Sequence, residues 1–336
     1  MAVSASALTL GQYAIQSNDP LVQRVVYSLI QNGSILDEVP IVTKATMLAN
    51  GVRFEGNLPT VNWRKINEDP TVTSGTPTPF QEQVYLLNNA IDVDNVLLKD
   101  QNRIQDPRAL QLDAYLKAVA YDMNDKFINN NHVTGDADAF VGLRARIDSP
   151  STYGVRTENK IDGGGVDMTT ANMTTTTANN FIEFLDQLLW SVGSLDGTGV
   201  VLYMNEVMKR RFARALRVLG TAGGFTITQD MFGRTVEKFR NATLKDIGYK
   251  ADQSTRIITN TEANTGAAGA STYTSIYAVH YGTEQLMAWQ MDELRPEYIG
   301  RVGNGGNTDR TIIDWQFGLY PNTNRCMARL YGIKMS

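Results

Sequence analysis

The chain has 336 residues, 42% of them hydrophobic and 20% charged, with a formal net charge of -4. That balance describes a folded protein of two modest domains or one elaborate one, and not a disordered chain. It argues against a dedicated nucleic-acid binder, which grips phosphates with a basic face. The single cysteine, Cys326, rules out an intramolecular disulfide and a thiolate zinc cluster, and reads as a small buried hydrophobe. The N-terminus lacks a basic start followed by a sustained apolar run, and no apolar stretch reaches the roughly 18–20 residues of a membrane span. Synthesis and folding in the cytoplasm, with no membrane partner, is the expectation.

Residues 1–40 read as an arm. Leu21, Val22, Val25, Val26, Leu29 and Ile30 recur at helical spacing. Asn18 or Asp19 can cap that helix, Pro20 suits its first turn, and Gly33 stops it.

Residues 41–98 read as a long hairpin. Val52, Phe54, Val61, Trp63 and Ile66 supply one side in partial alternation, and Val84, Tyr85, Ile91 and Val93 the other. Between them, Pro70, Pro77 and Pro79 forbid a continuing strand. Pattern alone leaves two arrangements open: an extended arm with a loose polar tip, or a sheet folded onto the body.

Residues 106–131 predict a long helix. Asp106 caps it, Pro107 takes the first position, and Leu112, Leu116, Val119, Met123 and Phe127 form one apolar stripe. At 1.5 Å per residue such a helix is a stiff beam of roughly 35–40 Å. Residues 132–178 read as a poorly structured glycine- and threonine-rich loop, interrupted by the apolar island Phe140-Val141-Gly142-Leu143.

Residues 179–292 read as an α/β unit. Phe181, Phe184, Leu185, Leu188, Leu189 and Val192 give a helical stripe. Val200-Val201-Leu202-Tyr203-Met204 is a buried strand, and Asn205 caps a helix to about Leu219. Ile257-Ile258 suggests a short strand, and strand-like runs cover 276–279 and 286–289. The tail, 293–336, holds two more, 311–317 and 326–333.

A search for chemistry comes up short. His132 and His280 are the only histidines, with no HExxH spacing, and both are assigned structural roles. No glycine directly precedes a lysine, so no P-loop exists. Asp92 with Asp94, and Asp136 with Asp138, suit turns in which Asp bonds its own backbone. The densest basic run is Lys209-Arg210-Arg211, continued by Arg214 and Arg217. It reads first as a solvated face with salt bridges, second as a contact with an acidic neighbouring subunit, and third as a contact with DNA. No catalytic residue, cofactor site or metal site emerges.

The order of parts is the informative signal. Arm, long hairpin, beam helix, loop, compact α/β unit and C-terminal strands follow one another. Ile35-Leu36-Asp37-Glu38-Val39-Pro40, Gly56-Asn57-Leu58-Pro59-Thr60-Val61-Asn62-Trp63-Arg64, Asp106-Pro107-Arg108-Ala109-Leu110-Gln111 and Phe140-Val141-Gly142-Leu143 each match a stretch of one family. The chain resembles the tailed-bacteriophage major capsid proteins with the HK97-type fold. The resemblance implies an α+β, HK97-like capsid fold: an N-arm at 1–40, an extended β-hairpin E-loop at 41–98, a P-domain at 99–178 with its spine helix at 106–131, an A-domain at 179–292, and C-terminal strands at 293–336 returning to the P-domain.

It also implies a non-enzymatic subunit of an icosahedral or prolate head, assembled in the host bacterial cytoplasm. Its partners would be further copies in hexamers and pentamers, a separate scaffolding protein, a portal, a possible decoration protein, and packaged double-stranded DNA bound without sequence preference. Phe54, Trp63, Arg64, Lys65, Glu68, Asp69, Arg210, Arg211 and Arg214 would make inter-subunit contacts. No flanking motif carries a lysine crosslink over to Lys65. The alternatives are an encapsulin-like compartment, an α/β enzyme, and a phage tail or adhesin component.

Overall fold

The structure is a computed structural model that describes residues 8–9, 35–53, 58–99, 106–220, 225–229, 235–263, 272–303 and 306–335. The helix expected over 21–30 and the candidate Phe54 lie outside these residues. In chain order the strands are β1 (Leu8–Thr9), β2 (Pro40–Thr43), β3 (Leu48–Arg53), β4 (Thr78–Gln83), β5 (Tyr85–Asp94), β6 (Lys160–Asp162), β7 (Val200–Met204) and β8 (Phe225–Gln229). They continue with β9 (Thr235–Phe239), β10 (Ala242–Asp246), β11 (Tyr273–His280), β12 (Leu286–Gln290), β13 (Arg295–Val302), β14 (Thr308–Pro321) and β15 (Met327–Lys334). The α-helices are α1 (Asn95–Lys99), α2 (Pro107–Asn129), α3 (Leu143–Asp148), α4 (Pro150–Tyr153), α5 (Thr175–Ser191) and α6 (Glu206–Leu219).

Two sheets carry the body. The first runs β1-β2-β12-β14-β13, with β5 on the other edge of the long β14. The second runs β6-β15-β11-β7-β10-β9-β8. In β14, the alternate residues Ile313, Trp315, Phe317 and Leu319 are all buried, as the two-residue period of a strand requires. In β7 every residue is buried. Val201 and Tyr203 face one core, while Val200, Leu202 and Met204 face another. Coverage of both faces explains why that strand reads as an unbroken apolar run.

Helix α2 joins the two sheets. Asp106 caps it by accepting from the Arg108 amide at 3.1 Å. Its 23 residues span about 35 Å. Leu116, Val119, Ala120, Met123, Phe127 and Ile128 enter one core with Val201, Tyr203, Tyr277 and Val279 of the second sheet. Ile313, Trp315, Phe317 and Leu319 of the first sheet complete that core. The entry segment adds Ile35, Leu36 and Val39. Helices α5 and α6 cover the second sheet's opposite face, where Phe212 meets Phe181, Phe225 and Phe239 with ring centroids 5.7–6.2 Å apart.

Several expectations need correction. The hairpin's return strand was expected at Val84 to Val93, but β5 belongs to the body. It pairs with β14 over ten residues, because Tyr85, Leu87 and Ile91 point into the core. Val61, Trp63 and Ile66 lie outside any strand. The stretch 132–178 is not a loose loop. It holds α3, α4 and β6, and its glycine-rich part is stitched to β15, with the Gly163 amide bonding Tyr331 O at 2.8 Å and Gly165 bonding Gly332 O at 3.0 Å. Ile257 and Ile258 are buried in bends instead of a strand. Strands β8, β9, β10 and β13 were not anticipated. The tail divides, with β13 and β14 in the first sheet and β15 in the second.

Candidate functional site

Among the described residues, strands β3 and β4 pair only with each other, over six residue pairs from Leu48–Gln83 to Arg53–Thr78. Beyond them, residues 58–77 hold no strand or helix, and nearly all are exposed. A tight turn at 65–68 places Asn67 in the left-handed region at φ 65°, which asparagine tolerates better than most residues. The Lys65 amide donates to Glu68 Oε2 at 2.9 Å, and Arg64 Nη1 donates to Glu68 O at 2.9 Å. Thr73 Oγ1 donates to Thr60 O at 2.9 Å, so the two limbs run side by side. Trp63 is 97% exposed, Val72 94% and Ile66 91%, with Leu58 and Val61 close behind. A cluster of exposed apolar side chains on one segment marks an interaction site.

Both strands of this ribbon are fixed to the body, β3 at its loop end and β4 at its body end. From β3, the buried Arg53 donates to Gly154 O at 3.2 Å and Asn322 O at 3.3 Å, and also to Pro321 O. Its guanidinium lies 3.9 Å from the centroid of the Phe80 ring, which tilts against Tyr320 at 5.2 Å. Gly51 lets these rings close in, since a Cβ would come within 2.2 Å of Tyr320 Oη and 2.3 Å of the Phe80 ring and would force them to move. From β4, Glu82 receives both terminal nitrogens of Arg146, at 2.5 and 2.9 Å. Burial opposes the Arg146 charge, but the Glu82 carboxylate outweighs it and holds the guanidinium above its ordinary pKa. A cleft of about 680 Å³ lies between the ribbon base and α3–α4, lined among others by Arg53, Phe80, Glu82, Tyr85 and Tyr153.

The Phe-x-Gly-Leu island explains how Arg146 is placed. Phe140 packs on Phe317 at 5.5 Å. A Cβ at Gly142 would meet Lys126 O at 2.5 Å and Asn130 N at 2.9 Å, so only glycine can abut the end of α2. Asn130 clamps the intervening turn through the carbonyls of Asp136 (3.0 Å) and Phe140 (2.8 Å). The buried Leu143 then opens α3.

The basic face of α6 is largely occupied within the chain. Lys209 pairs with Glu237 at 3.0 Å, and Arg210 pairs with Glu206 at 3.2 Å. Arg211 bonds Thr170 Oγ1, and Arg214 donates to Thr170 O at 3.1 Å. Trp63, Arg64, Lys65, Glu68 and Asp69 therefore share one exposed segment, while the three arginines sit on a separate helix.

The remaining titratable candidates are structural. Asp92 pairs with Arg310 through two 2.7 Å bonds, and Asp94 accepts from the Val96 amide at 2.8 Å. Asp136 accepts from the Asp138 amide and from Lys126, in keeping with the turn reading. His132 and His280 bond main-chain carbonyls. Among the described residues, no cluster of His, Cys, Asp and Glu could hold a metal ion, and no helix is long and apolar enough to cross a membrane.

A group that sequence reasoning missed is the buried ion network behind α3. Arg329 is held by Glu262 at 2.9 Å, by Asp148 at 2.9 and 3.1 Å, and by Ser275 Oγ at 3.1 Å. Burial works against the Arg329 charge, and Tyr277, Glu262 and Asp148 more than offset it, so its pKa rises. Arg144 meets Glu262 at 3.6 Å and Lys160 meets Asp148 at 2.8 Å. An isolated Arg in a strand pattern was the only sequence signal.

Residues 17–173 match the family model of the major capsid protein GP7. Comparison with curated protein sequences gives no match. Solved structures give many. The holo-SrpI encapsulin complex from Synechococcus elongatus PCC 7942 aligns at TM-score 0.59 and 12% identity, over 90% of this chain and 87% of that one. The capsid of a native GTA particle aligns at 0.56 and 12%, over 91% and 90%. The capsid of Myoviridae phage XM1 aligns at 0.51 and 12%, over 90% and 91%. At these identities the likeness establishes the fold, which is the α+β capsid fold of the HK97-like type. The family match over residues 17–173 and the shared fold both point the same way: this chain is similar to phage-type major capsid proteins, which form shells.

Proposed function

We propose that copies of this chain close into the head of a tailed bacteriophage, as hexameric and pentameric capsomers around double-stranded DNA. The observation that carries the reading is the exposed ribbon. A two-stranded ribbon alone is marginal in water, and one that displays Trp63, Ile66 and Val72 gains stability by lying on another surface. The surface that fits is a neighbouring copy. Trp63, Arg64, Lys65, Glu68 and Asp69 are the contact set, with Phe54 as a further candidate. On α6, Arg210 is the candidate, its side chain being 67% exposed, whereas Arg211 and Arg214 are engaged by Thr170.

The subunit is a structural protein without a catalytic role. Its net charge of -4 suits a wall that encloses DNA without gripping it. A separate scaffolding protein, a portal and a decoration protein are the remaining partners, and assembly takes place in the bacterial cytoplasm. Many weak contacts close such a shell cooperatively.

The fold shared with an encapsulin supports a second reading, a compartment that holds protein cargo. Expression with and without a candidate scaffold, followed by electron microscopy and analysis of particle contents, tests both. Closed polyhedral particles with nuclease-protected DNA support the head. Closed particles with a co-purifying enzyme support the compartment. A persistent compact monomer overturns both.

A further inference from the structure

Helix α3 is only six residues long, yet each of its three charged side chains bonds a different part of the molecule. Arg144 meets Glu262, beside β11. Arg146 takes Glu82 of the ribbon base in a two-pronged bond. Asp148 meets Arg329 of β15 and Lys160 of β6. We propose that α3 is the positioning element for assembly: through Arg146 and Glu82 it fixes the direction in which the β3–β4 ribbon leaves the body, and through Asp148 and Arg144 it refers that direction to the second sheet. This inference rests on the reading that the ribbon lies across another copy.

Physical chemistry favours positioning over simple stabilisation. Removing a buried ion pair in favour of apolar side chains is often neutral or stabilising, so stability alone does not account for this one. What the pair supplies is geometry. A guanidinium and a carboxylate joined by two parallel bonds are fixed in plane as well as in distance. The third prong, Arg146 Nε to Val141 O at 3.0 Å, locks the arginine to the segment that leads into α3. Ribbon direction has leverage. Glu82 sits at the body end of the ribbon and the anchored Arg53 at its loop end, roughly 13 Å further on, so a slip of about 2 Å at Glu82 swings the ribbon about Arg53 and displaces residues 58–77 by a comparable amount. Packing at the core of a protein interface is as close as in a protein interior, and a displacement of that size breaks it.

The test uses the full chain. In one variant, Glu82→Leu and Arg146→Met are combined, which removes the pair without stranding a charge. In a second, Glu82→Gln keeps the shape and a hydrogen-bond acceptor. Thermal unfolding of the unassembled subunit and the critical concentration for particle formation are measured for each. The apolar pair is expected to unfold near the wild-type midpoint but to need about tenfold more protein to assemble, equivalent to about 1.4 kcal/mol per subunit. Glu82→Gln shifts the same quantity in the same direction by less. Assembly of both variants at the wild-type concentration, into particles of wild-type size, overturns the inference. So does a loss of assembly that follows the loss of folded subunit. If the wild-type chain fails to form particles, the shell reading fails instead.

Discussion

Two buried tryptophans of the body contrast with one on the ribbon. Trp289 and Trp315 are at most 1% exposed, and each indole N–H has a partner: Thr46 O at 3.3 Å and Gln290 Oε1 at 3.0 Å. Trp63 is 97% exposed, on a loop whose hydrogen bonds are local. At Trp289 and Trp315, apolar area has been spent on folding a single chain. In the ribbon it is held back, and the free energy of covering it becomes available only when a second surface arrives. One sequence thus separates what stabilises the subunit from what stabilises the shell, and substitutions in the two regions act on different measurements.

The largest effects on the subunit belong to the body. Arg329→Met leaves Glu262, 7% exposed, without its principal partner, and is expected to destabilise the unassembled subunit by about 3–5 kcal/mol in urea unfolding. Trp315→Ala opens a cavity between α2 and the first sheet at a cost of about 3–5 kcal/mol, read in the same way. A smaller loss follows at Asn205. Its side chain accepts from the Met208 amide at 2.8 Å and donates to Ile258 O, Asn260 Oδ1 and Thr274 Oγ1. Asn205→Ala is expected to cost about 1–2 kcal/mol, at the upper end of the range for a helix cap. If any of these three left unfolding unchanged while weakening assembly, the division between body and ribbon would collapse.

The same division explains what could be read from sequence. Where burial is local and periodic, the pattern speaks. Helix α2 matches its expected bounds within two residues, and Asn205 and Asp106 cap helices as their chemistry suggests. Where an element is chosen by a distant partner, pattern fails. β5 reads like the return limb of a hairpin, because a strand on a hairpin and a strand on a sheet share the same alternation. Only its ten-residue register with β14, more than two hundred residues away, decides. The exposed β8 and half-buried β9 carry too little apolar alternation to announce themselves, with Thr226, Thr228, Gln229 and Thr235 facing solvent. In the candidate site, Trp63 and its neighbours were visible as β-formers beside prolines. The Arg53, Glu82 and Arg146 anchors were not, because ion pairs between residues 64 positions apart leave no spacing signal.

A titration sharpens the comparison by a smaller amount. Burial lifts the Asp246 carboxyl above its ordinary pKa of 3.8, and the Gly248 amide, at 3.0 Å, only partly offsets this. The folded chain therefore holds this proton more tightly than the unfolded chain does. The stability that it contributes is present at low pH and is lost as pH climbs from the ordinary carboxylate range through the raised value. Asp246→Asn keeps an acceptor for the Gly248 amide and removes the titration. Urea midpoints measured across the acid range should then lose that decline, and the variant should be slightly more stable than wild type at neutral pH. An unaltered pH profile would show that Asp246 is better solvated than its surroundings imply.

The smallest effect on the subunit is the most informative. Trp63→Ser touches a side chain that is almost wholly in solvent, so urea unfolding of the unassembled chain should move by no more than about 0.5 kcal/mol. Assembly should respond out of all proportion, because an indole is among the side chains that carry most of an interface's energy once it is buried. A rise in critical concentration of about tenfold or more with an unchanged unfolding curve would place Trp63 in the contact between copies. The reverse pattern, a weakened subunit with unchanged assembly, would mean that the ribbon folds back on its own chain. The exposed apolar side chains of 58–77 would then lose their explanation as a surface reserved for a neighbour.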